Sequence, residues 1–92
     1  DKRWREMVAA LAPTVSEVVT TVVQPPRGED AEVVASEFRA HGTAARSCAS
    51  LTDALAEVHR GATADDLIVV TGSIFLVGAV YARLLADGRV PP

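Results

Sequence analysis

Residues 65–78 read Asp65-Asp66-Leu67-Ile68-Val69-Val70-Thr71-Gly72-Ser73-Ile74-Phe75-Leu76-Val77-Gly78, and this stretch decides the fold class. Leu67 to Thr71 is a continuous apolar run of strand length. A strand with apolar side chains on both faces must be covered on both, which is the habit of a central strand in a parallel sheet. Gly72-Ser73 breaks the run. Ile74 to Ala86 then continues at helical spacing, with Gly88 behind it as a stop signal. The uncharged segment from Leu67 to Ala82 invites a membrane reading, but it falls short of the ~17–25 residues of a spanning helix and Thr71-Gly72-Ser73 interrupts it. Strand, tight turn and buried helix account for both halves.

Upstream, helix-like and strand-like segments alternate. Trp4, Met7, Val8 and Leu11 fall at spacings of three and four, which predicts a helix over Lys2–Leu11 with these residues on one face. Pro13 disfavours helical geometry in Ala12 and stops it. Glu17–Val23 is rich in Val and Thr and predicts a strand. Gln24-Pro25-Pro26-Arg27-Gly28 forces a loop, since neither proline can donate to a ladder. A second helix is expected to start at Asp30, an N-cap residue with Glu32 in the favourable first turn, and to end at His41-Gly42. Ala44–Ala49 is a strand by its place between helices more than by its composition. Ser50-Leu51-Thr52-Asp53 resembles a capping box and opens a third helix that ends at Gly61. Alternation of this kind predicts an α/β fold of three layers, Rossmann-like, with a mostly parallel sheet flanked by helices and joined by right-handed crossovers. Residues 1–92 are expected to form one domain of a longer protein, with a first strand lying ahead of Asp1.

Composition narrows the function. Forty-nine per cent hydrophobic and 23% charged residues are ordinary globular usage, so disorder is not expected. The formal charge of −3 argues against broad nucleic-acid affinity, and Lys2 is the only lysine, so no polybasic membrane patch exists. Cys48 is the single cysteine, which excludes a disulfide scaffold and fits a reducing, cytoplasmic setting. His41 and His59 have no second ligand at metal spacing, so each is read as closing its own helix; no metal site is expected in this chain.

In an open parallel sheet ligands collect beyond the carboxyl ends of the strands. Asp1-Lys2-Arg3 and Thr71-Gly72-Ser73 should reach that edge. At the second, Gly72 permits the turn, Ser73 can cap the following helix, and the free N–H groups of that helix favour a carboxylate or phosphate. The alternative reading is that Ser73 does no more than cap its own helix. No Gly-x-x-x-x-Gly-Lys-Ser/Thr, Gly-x-Gly-x-x-Gly or Gly-x-Ser-x-Gly pattern occurs.

Asp1-Lys2, the Trp4–Met7 helix closing in Leu11-Ala12-Pro13, the Val-Val-Thr strand, Ser50-Leu51-Thr52-Asp53-Ala54-Leu55 and the run from Asp65 to Gly78 occur in this order. Together they resemble the C-terminal domain of folylpolyglutamate synthase / dihydrofolate synthase, within the Mur ligase superfamily. The resemblance implies a parent enzyme that uses ATP and magnesium, bound mainly outside this chain, to convert a folate or dihydropteroate carboxylate to an acyl phosphate that glutamate attacks. It implies partners in glutamate, the folate substrate and the N-terminal ATPase domain of the same polypeptide. Carried onto this chain, Ser73, with Gly72 and Thr71, would bind the incoming glutamate, and Asp1 and Lys2 would meet substrate or nucleotide. Arg3 stands where the family often has a second acid. No catalytic residue is expected within residues 1–92, and the piece alone is expected to be inactive. Two other readings stay open: a Mur-type ligase with a different acceptor, and a stand-alone flavodoxin-like binding or regulatory module.

Overall fold

The structure is a computed structural model, and it describes residues 3–22, 29–71 and 74–90. The chain divides into two compact units, Asp1–Gly61 and Ala62–Pro92. The first carries α1 (Arg3–Leu11), a 3₁₀ turn (Ala12–Thr14), β1 (Glu17–Thr20), α2 (Ala31–Ala40), β2 (Ala44–Ser47) and α3 (Leu51–Gly61). The second carries α4 (Ile74–Ala86).

β1 and β2 pair in parallel, with Glu17 opposite Ala44 and Thr20 opposite Ser47. Parallel strands need a crossover, and α2 supplies it. The α/β reading with a parallel sheet and flanking helices holds. The core of the first unit is small: Val8 of α1, Ala12 and Phe38 of α2 are buried together, with Trp4, Leu11, Val18, Val34 and Ala45 packed around them. Trp4, Val8 and Leu11 thus share the inward face expected of them. Met7 does not, at 45% exposed; its place one position before Val8 turns it a further 100° round the helix, towards solvent.

The ends of α1 and α2 meet at one residue. Pro13 cannot donate a backbone bond, so the chain tightens into the 3₁₀ turn and leaves carbonyls of α1 to be satisfied elsewhere. Thr14 Oγ1 donates to Leu11 O (2.7 Å) at the surface. Thr43 Oγ1 donates to Ala12 O (3.0 Å) in the interior, and Thr43 is the one buried polar side chain among the described residues. Thr43 N–H also donates to Phe38 O (3.1 Å) after Gly42, whose φ of +85° reverses the chain out of α2. One threonine therefore ties both helix ends to the start of β2.

Two expectations need correction. The strand expected over Glu17–Val23 stops at Thr20, and that over Ala44–Ala49 stops at Ser47. More consequentially, Leu67–Thr71 forms no ladder: Leu67 is 88% exposed and Val69 66%. The reason is the lack of a pairing partner. Among the described residues, the ladder holds β1 and β2 alone, and no strand pairs with Leu67–Thr71. Strand geometry without a neighbour leaves every backbone polar group unpaired, so the segment is not held as a strand.

Candidate functional site

Residues following β1 and β2 form the carboxyl rim where α/β ligands gather. Thr20 Oγ1 donates to Ala31 O (2.7 Å), fixing the end of β1 to the start of α2. Cys48 N–H donates to Thr20 O (2.8 Å) and Thr21 Oγ1 to Cys48 O (3.0 Å), so the two strand exits stay joined beyond the last ladder pair. Both helices that start at this rim are capped by their own residues. Asp30 Oδ1 accepts from Glu32 N–H (2.8 Å), and Ser50 Oγ accepts from Asp53 N–H (3.1 Å). In each, one of the free N–H groups is already satisfied from within the chain.

Beside the rim, Glu32 gathers four donors. Arg39 Nη1 and Nη2 reach its two oxygens at 2.9 and 3.1 Å, Ser47 Oγ donates at 2.7 Å and Ser36 Oγ at 3.4 Å. The Arg39 guanidinium and then the Ser47 hydroxyl hold the Glu32 carboxyl down at about 2, and the same contact raises Arg39. Arg39 Nε also donates to Ala45 O (2.9 Å) on β2. The cluster thus pins α2 to β2 at the surface. Chemically it is spent: a carboxylate that stays ionised and fully engaged is poorly suited to proton transfer.

On the other side of β2, an open groove of ≈ 600 Å³ runs along α3, lined by Arg46, Ser47, Cys48, Asp53, Glu57 and Arg60 among others. Glu57 bridges Arg46 Nε (2.8 Å) and Arg60 across it. Cys48 is half-buried there. His59 Nδ1 lies 2.9 Å from Leu55 O and His41 Nε2 lies 3.5 Å from Glu37 Oε2, so both imidazoles serve their own helices. Among the described residues no three His, Cys, Asp or Glu side chains come together as a metal site. No described helix is long and apolar enough to cross a membrane.

Of the site residues expected from sequence, Asp1, Lys2, Gly72 and Ser73 lie outside the described residues. Thr71 is described and exposed, and α4 begins three residues later at Ile74. What sequence reasoning missed is the Glu32–Arg39–Ser47 cluster. Its only signal was the Glu32/Ser36/Arg39 spacing along one helical face, which is commonplace on solvated helices.

The family described as "Mur ligase, glutamate ligase domain" matches residues 1–74. The chain belongs to this family. Two curated relatives carry the name "Probable bifunctional folylpolyglutamate synthase/dihydropteroate synthase". The one from Haloferax volcanii is 40% identical over 78 residues, covering 84% of this chain and 9% of that protein. The one from Halobacterium salinarum is 39% identical over 84 residues, covering 90% of this chain and 10% of that protein. The chain thus spans about a tenth of the length of these relatives. No solved structure gives a significant match. The Mur ligase glutamate-ligase domain accounts for the alternating elements and the parallel pairing, and it gives the chain a Rossmann-like partial domain as its fold.

Proposed function

We propose that this glutamate-ligase domain is the lobe of an ATP-dependent ligase that holds incoming glutamate while a folate-type carboxylate, activated as an acyl phosphate, is converted to an amide. The observation that carries this reading is the family match over residues 1–74, which takes in Thr71, Gly72 and Ser73 and stops where α4 begins. The folylpolyglutamate synthase activity in the names of both relatives supports glutamate as the amino acid. The glutamate amine forms the new C–N bond to the acyl carbon as phosphate leaves with the C–O bonding pair, and the amine proton passes to a base outside this lobe. ATP and magnesium belong to the neighbouring ATPase domain of the same polypeptide. The lobe contributes a fixed carboxylate anchor, and Ser73 with the first N–H groups of α4 is the chemistry suited to it. Asp1 and Lys2 are proposed to face substrate or nucleotide, Lys2 as a flexible point charge.

Ser73→Ala in the full-length enzyme tests this. The KM for glutamate should rise by about 10- to 150-fold, the loss of roughly one charge-assisted hydrogen bond worth ~1.5–3 kcal/mol, while the KM for ATP stays level. A variant that loses thermal stability with an unchanged glutamate KM would reduce Ser73 to a helix cap and overturn the assignment.

A further inference from the structure

We draw no further inference here: the strongest candidate, the open groove between β2 and α3 lined by Arg46, Cys48, Asp53, Glu57 and Arg60, already has both guanidinium groups joined to the Glu57 carboxylate, and nothing in the structure shows what else would occupy it.

Discussion

Two threonines close carbonyls at the end of α1, and comparing them separates burial from bond length. Thr14 makes the shorter bond, 2.7 Å to Leu11 O, at an exposed position; Thr43 makes the longer, 3.0 Å to Ala12 O, at 7% exposure. Replacing either by Val keeps the β-branched shape and removes the hydroxyl. At position 14 water can take the Leu11 carbonyl, so the change should stay within ~0.5 kcal/mol, as for ordinary surface substitutions. At position 43 no water replaces the donor, and Ala12 O, itself in a buried residue, goes unsatisfied; that costs ~1–3 kcal/mol. The Thr43→Val loss corresponds to a Tm drop of at least ~4 °C in a domain of this size, against at most ~2–4 °C for Thr14→Val. Urea unfolding followed by Trp4 fluorescence, with the slope checked for constancy, reads both. Equal losses, or a larger one at Thr14, would refute the claim that desolvation of Ala12 O sets the value of this contact.

Further outcomes follow the same logic. Gly42→Ala should destabilise by ~1–2 kcal/mol through backbone strain alone, because φ is +85° while no atom lies within 4 Å of the added Cβ; Gly42→Asn should recover part of it in a melting experiment. Phe38→Ala should cost ~3–5 kcal/mol, since it empties the centre of the cluster joining α1, α2 and β1, and a smaller loss by chemical denaturation would mean that the site collapses. Glu32 sets an acid-range dependence. Its folded value, about 2, lies below the usual 4.5, so its contribution is present above pH 4.5 and is lost as pH falls towards 2. Glu32→Gln should therefore be less stable than the parent at neutral pH, and the gap should close between pH 4.5 and about 2; a gap independent of pH would show that the carboxylate is not held by Arg39 and Ser47.

Local signals were legible wherever the chemistry is local. Asp30 and Ser50 cap as their side chains dictate, Pro13 ends α1, and Gly42 takes the positive φ that a helix stop asks of it. Ala44–Ser47 carried little strand propensity, and it is a strand because β1 lies beside it and Arg39 and Thr43 fix its start. The most strand-like segment, Leu67–Thr71, went the other way: its propensity is high, but a ladder needs a neighbour and propensity cannot provide one. The site divides similarly. Thr71-Gly72-Ser73 is proposed from residue type alone, whereas the Glu32 cluster depends on Ser47, fifteen residues away, arriving from another element.

The Arg39 bond to Ala45 O also shapes how the sheet can grow. Polar backbone groups on a strand face its two sides alternately. Cys48 N–H turns towards β1, so the Ala45 carbonyl, an odd number of positions away, turns outwards, and there a guanidinium already occupies it. A foreign strand approaching β2 would have to dislodge a charged side chain that Glu32 anchors from behind. At that carbonyl the flank is guarded against intermolecular pairing, the hazard every open sheet carries.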